Sequence, residues 1–214
     1  NDHQPLRRWA IGAALCLALS GPIMADANEP ASAALQQALA QHLQHHEGSL
    51  PIASFYELRG GQPAWQELQR VQSLVSALNT LPDDGLTPDD YQASSLLSDF
   101  QQSQQLDDRA KANFDVRATR ALLLALDHLS IGKVDPKRVE PNWDLQRPER
   151  RYALPRVVQA VEEGRVEQAL SLARPNMAAY AQLREALVHY RRLADQMSVP
   201  YLPRRDESLR PGDI

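Results

Sequence analysis

The chain has 214 residues, 43% apolar and 23% charged, with a net charge of −4, which is the make-up of a folded globular protein and excludes a disordered one. Its 23 Lys and Arg are scattered rather than massed on one predicted face, so a nucleic-acid partner is not expected. The single cysteine, Cys16, lies near the N-terminus.

In chain order, Arg7-Arg8 precede the apolar run 9–19, Ser20, Gly21 and Pro22 follow, and Ala25-Asp26-Ala27 offers small residues at signal-peptidase spacing. Residues 1–27 therefore read as an export signal. The run is about eleven residues, too short to cross a hydrocarbon core of about 30 Å, so no permanent membrane anchor is expected. Leu15 precedes Cys16 where lipid attachment wants a small residue, so no lipoprotein is expected either. Cys16 would leave with the leader. The mature chain would then hold no disulfide, thiol nucleophile or thiolate metal site.

Residues 28–53 read as a spacer with a helix, capped by Ser32, over about 33–47 with Leu35, Leu39 and Leu43 on one face. His42 and His46 stand at i, i+4, a zinc-ligand spacing, but the acid of an HExxH motif is missing. A solvated Gln/His face is the reading adopted, with no metal or cofactor expected. Residues 48–61, framed by Gly and Pro, read as a connector with a short extended piece at Phe55-Tyr56. Pro63-Ala64-Trp65 is predicted to open a helix running to about Leu81, with Leu68, Val71, Val75 and Leu78 buried and Trp65 as a core anchor.

Residues 81–91, LPDDGLTPDDY, are punctuation: Asp84-Gly85 marks a turn, and Thr87-Pro88-Asp89-Asp90 reads as N-cap, N1 proline and first-turn acids of another helix. Asp83, Asp84, Asp89 and Asp90 suggest calcium or acid/base chemistry at first sight. EF-hand spacing is absent and capping accounts for two or three of the four, so no catalytic residue is assigned.

Residues 101–107 read as a polar lead-in to the longest helical pattern, 107–134. There Phe114, Ala118, Leu122, Leu126 and Leu129 form a stripe that Leu123 and Leu124 widen. Such a helix is expected inside a bundle, capped by Asp107 and ended by Gly132. Pro136, Pro141 and Pro148 with Trp143 make an irregular connection pinned by the Trp. Two short helices follow, one from Leu154-Pro155 to before Gly164 and one over 165–174. A last strong helix spans 176–197 with Tyr180, Leu183, Leu187, Tyr190 and Ala194 at a/d-like spacing, and Arg191 and Arg192 at the negative end of its dipole. The tail, 201–214, reads as a linker. The fold class expected is mainly α, an irregular helical bundle around one long central helix, with Pro-rich connectors.

Three separated patches resemble a known family. Phe55-Tyr56 with Pro63-Ala64-Trp65, then Asp84-Gly85-Leu86-Thr87-Pro88-Asp89-Asp90-Tyr91, are similar to the opening of the large multidomain murein L,D-transpeptidases of Gram-negative bacteria, the YcbB type. The third runs from 126–134 through Pro136 and Trp143 to Arg174-Pro175, Tyr180, Leu183-Arg184, Ala186-Leu187 and Tyr190-Arg191. The resemblance implies a helical scaffold domain over 54–200 and a periplasmic location. It also implies that Leu209-Arg210-Pro211-Gly212-Asp213 leads toward a peptidoglycan-binding module, with the catalytic cysteine of a Ser-x-Gly-Cys setting beyond it. The chain, which starts at Asn1, is thus expected to be a fragment, reaching peptidoglycan through missing downstream modules, with cell-wall synthesis proteins as a further partner class. A cysteine-free mature chain supplies no thiolate for that chemistry, so no catalytic residue carries over. The alternative from the residues alone is a stand-alone periplasmic helical adaptor that binds a partner protein.

Overall fold

A computed structural model describes residues 29–45, 50–140, 142 and 149–196, with the backbone alone for residues 29, 30, 43–45 and 137. Among these residues every regular element is helical, so the expected α class holds. The order is α1 (Glu29–His45), α2 (Ile52–Leu58), α3 (Leu68–Leu78), 3-10 turns at Leu81–Asp84 and Pro88–Tyr91, α4 (Leu96–Gln104), α5 (Asp108–Ile131), α6 (Pro136–Val139), α7 (Leu154–Glu162), α8 (Val166–Ala173) and α9 (Ala178–Gln196).

The centre is α5, about 36 Å long at 1.5 Å per residue. Asp107 caps it, its carboxylate accepting from the Ala110 N–H at 2.8 Å, and Gly132 ends it at φ 87°. Helices α1, α2, α3, α4 and α8 all pack on it. That encirclement explains why Ala118, Leu122, Leu123, Ala125 and Leu126, which spread around much of its circumference, are all fully buried. Burying each leucine stabilises the fold by about 1.5–3 kcal/mol. Gly164, at φ 70°, turns α7 back into α8, and the pair buries Val157, Val158 and Val161 with Val166, Ala169 and Leu170. Both short helices stand where the sequence put them.

Several local expectations fail. The segment at Phe55-Tyr56 is not extended: Ile52, Phe55 and Tyr56, at i, i+3 and i+4, are the buried face of α2. Period wins over β-propensity there. Ser32 lies inside α1 rather than capping it, because the helix starts at Glu29 with Pro30 in its first turn, where a missing N–H is harmless. Helix α3 begins at Leu68, not at Pro63, and ends at Leu78. Its buried face is Val71, Leu74, Ala77 and Leu78, with Leu68 exposed. Thr87-Pro88 starts only a four-residue 3-10 turn, and Thr87 makes no side-chain cap bond. Residues 101–104 belong to α4 rather than to a polar lead-in.

The a/d-like stripe of α9 is not core. None of its residues is fully buried; Leu183 is 70% and Tyr190 68% exposed. Its main contact is the turn at Leu81–Asp84. His46, Trp143, the signal segment and the tail lie outside the described residues, as does the side chain of Leu43.

Candidate functional site: buried carboxylates that fix the bundle

Three aspartates are withdrawn from water, and each joins segments far apart in sequence. Asp115, on α5, is 2% exposed. Its Oδ1 accepts from the Tyr56 hydroxyl at 2.7 Å and the Ala64 N–H at 2.9 Å, and its Oδ2 from the Trp65 N–H at 2.7 Å. Thr119, one turn on, accepts from Trp65 Nε1 at 2.9 Å and lies 2.8 Å from the Tyr56 hydroxyl. Asp115 thus fixes the segment leading into α3, and the Arg70 guanidinium takes the Ala64 carbonyl at 2.7 Å, an acceptor that a helix opening there would have offered to the Leu68 N–H. Trp65 is the core anchor expected, 1% exposed. Burial pushes the Asp115 carboxyl up, opposed by the bonds from Ala64, Tyr56 and Trp65. Burial, with Asp115 alongside, also holds the Tyr56 hydroxyl protonated well above its ordinary range.

Asp127 anchors the approach to α7. Arg150 grips it with two bonds, Nε to Oδ1 at 2.7 Å and Nη2 to Oδ2 at 2.8 Å, and the Tyr152 hydroxyl donates to Oδ1 at 2.7 Å. The Arg151 N–H donates to Ser130 Oγ at 2.7 Å. The hydrogen bond to Asp127 raises the Arg150 pKa, and burial followed by the bond to Asp127 raises that of Tyr152.

The third joint holds α9. The Asp84 side chain is 0% exposed and faces the Arg174 side chain, 12% exposed. Arg174 Nε donates to Oδ2 at 3.0 Å, Nη2 lies 2.9 Å from the same oxygen, and Nη1 donates to Glu167 at 2.8 Å. From α9, the Tyr180 hydroxyl donates to Asp84 Oδ1 at 2.8 Å. Arg184 Nε stands 3.0 Å from that oxygen but off the line of a hydrogen bond, so it pairs by charge. Arg184 Nη2 reaches Asp83 at 3.3 Å, and the Arg191 guanidinium donates to the Pro82 carbonyl. Burial, then the bond to Asp84, pushes the Tyr180 hydroxyl up to about 12. Helix α9 is thus held to the bundle by a polar clamp more than by apolar burial. A cleft of about 510 Å³ opens beside it, lined by Arg174, Pro175, Tyr180, Arg184, Val188 and Arg192.

The acidic turn is therefore split. Asp83 and Asp84 serve α9, and Asp84 is a buried joint rather than a helix cap. Asp90 pairs with Lys133 at 2.6 Å, and Asp89 sits in the first turn of the Pro88–Tyr91 helix. Asp84 and Asp90 spend their carboxylates on cations of their own chain, an arrangement that holds elements together. Among the described residues no group of three or more His, Cys, Asp and Glu could hold a metal ion, and no helix is long and apolar enough to cross a membrane. His42 lines a small cleft against α5, while His46, four residues on, lies outside the described residues. Sequence reasoning missed Asp115, Asp127 and the Arg174 and Arg184 partnership. The one available signal was a lone acid inside an otherwise apolar helix face, as at Asp115 and Asp127.

Comparison with known proteins bears on these joints. No curated protein and no solved structure matches the chain. The family model of a scaffold domain matches residues 51–187, well over half of the 214 residues, and that span includes Asp84, Asp115, Asp127, Arg150, Arg174, Tyr180 and Arg184. On that match, over a helical bundle whose three buried aspartates all fall inside it, the chain belongs to the scaffold-domain family.

Proposed function

We propose that this chain is the non-catalytic scaffold portion of a periplasmic L,D-transpeptidase of the YcbB type, serving peptidoglycan cross-linking and cell-wall biogenesis. One convergence carries the reading. The patches that resemble that family fall largely within the scaffold-domain match at 51–187, and they contain the clamp itself: Asp84, Arg174, Tyr180 and Arg184.

In the whole enzyme, a cysteine of a downstream domain would take the acyl group of a tetrapeptide stem as a thioester and pass it to an acceptor amine. The part played by this chain is positional. Residues 1–27 direct export, residues 54–200 form the frame, and 201–214 lead toward a wall-binding module. Small misplacement of reacting groups is expensive, so a frame whose last helix is clamped by buried charge contributes by holding modules at fixed separation. Peptidoglycan is then met through the downstream modules.

Reading the gene beyond Ile214 tests this. An open frame that reaches a Ser-x-Gly-Cys motif is the expected result, and a stop codon before any such motif refutes it.

The exposure of Leu183 and Tyr190 on α9 favours one other reading, a stand-alone periplasmic adaptor that binds a partner protein through that helix. The same gene sequence separates the two. Loss of a captured partner on Leu183→Asp with Tyr190→Ser would support the adaptor.

A further inference from the structure

A small cleft lined in part by Asp90 carries an inference that does not depend on the proposed function. It lies against the middle of α5, has a volume of about 150 Å³, and is lined by Asp90, Tyr91, Arg117, Arg120, Ala121 and Leu124 together with His42 and Gln92. Two arginines on one face of α5, three residues apart, point to it. Arg117 is half-exposed and pairs with Asp99 at 3.2 Å. Arg120 is half-buried, and among the described residues it has no hydrogen bond or ion pair. A guanidinium is always charged, has five donors in a planar fork, and is costly to withdraw from water without a partner.

Two other polar groups of the cleft are already committed. Asp90 is neutralised by Lys133 at 2.6 Å, and the Tyr91 hydroxyl is bonded to His128 Nδ1 at 2.8 Å. The local balance therefore leaves the Arg120 charge unanswered. Gln92, on the rim, is the only non-glycine with positive φ among the described residues, at 56°. Backbone in that region costs about 1–2 kcal/mol for an L residue, and here it falls at the C-terminal end of the Pro88–Tyr91 turn, ahead of α4. The apolar wall of Ala121 and Leu124 would shield a bonded anion on one side. At about 30 Å³ per water the space is that of about five waters, enough for an oxyanion head group.

We propose that this cleft is an oxyanion-binding site in which Arg120, assisted by Arg117, grips a carboxylate or phosphate group. A planar guanidinium takes either through two parallel N–H bonds, so the chemistry is shared and the source is read by experiment. The full chain is titrated with sodium acetate and, separately, with sodium phosphate, at constant ionic strength held with sodium chloride. The side-chain Nε–H signals of its arginines are followed by NMR, and thermal midpoints are recorded in parallel.

The Arg120 signal is expected to shift and saturate with one of the two anions at ~1–10 mM. That anion should raise the midpoint of the wild type, because it binds the folded state. Arg120→Gln is expected to abolish that rise while remaining folded, since it removes an unpaired charge and leaves no partner stranded. Arg117→Gln should weaken binding several-fold without abolishing it. Saturation by acetate identifies a carboxylate site, and saturation by phosphate alone a phosphate site. A shift that chloride reproduces, a shift that never saturates, or an Arg120→Gln variant stabilised by the anion as much as the wild type overturns the proposal.

Discussion

Substituting Asp84 by Asn removes one charge and changes no volume, so it isolates the clamp on α9. In the native protein that carboxylate faces Arg174, 12% exposed, and Arg184, 33% exposed, and accepts from Tyr180. Breaking a buried ion pair by neutralising one partner costs about 3–5 kcal/mol, because the remaining charge is stranded. Arg184 is solvated enough to recover part of that, and Arg174 keeps Glu167 at 2.8 Å, so about 3 kcal/mol is expected. If α9 leaves alone, its amides should exchange roughly 100-fold faster, while those of α5 keep their protection. If the loss is global, the urea midpoint should fall by about 1–2 M at a slope of about 2 kcal/mol/M. Adding Arg174→Gln should cost less than the sum of the two single variants, with a coupling of about 1–3 kcal/mol. Hydrogen exchange read by mass spectrometry, with urea titration of the four proteins, decides it. An Asp84→Asn protein with unchanged exchange in α9 and an unchanged midpoint would show that apolar contact, not the buried carboxylate, holds the helix.

Asp115→Asn should destabilise by about 2–4 kcal/mol, since an amide cannot accept from the Ala64 and Trp65 N–H groups and the Tyr56 hydroxyl together; loss of the near-ultraviolet signal of Trp65 would accompany it. Tyr180 is raised to about 12 from an unperturbed 10.0, so the folded state holds its proton more tightly than the unfolded one. Its contribution is therefore complete below pH 10 and is lost as pH rises toward 12, and stability measured across that window should fall less steeply in Tyr180→Phe. Gly85→Ala should cost about 1 kcal/mol in urea titration, from its φ of 78° rather than from crowding, because an added Cβ would meet Leu187 Cδ2 at an ordinary 3.8 Å.

What the sequence disclosed follows the range of the forces involved. Helices α5, α7, α8 and α9 were legible because their stripes and stops are local: Asp107 and Gly132 bound α5, and Gly164 separates α7 from α8. The start of α3 was not legible, because the approach to it is fixed by Asp115, 51 and 50 residues from Ala64 and Trp65. Asp84 looked like turn chemistry because its partners come 90 and more residues later. The stripe on α9 misled for a different reason: spacing shows that a helix has an apolar side but not whether anything covers it. Helix α2 could have been read, since Ile52, Phe55 and Tyr56 keep helical period between Pro51 and Gly60. The aromatic pair was given too much weight as a strand signal.

The central claim is that α9 is held rigidly to the bundle. Spin labels at Asn113→Cys on α5 and Gln182→Cys on α9, both exposed, in a Cys16→Ser background, give the distance distribution between the two helices by pulsed electron resonance. A single narrow distribution that broadens when Asp84→Asn is added is the result predicted. A broad distribution already present with Asp84 intact would contradict the account.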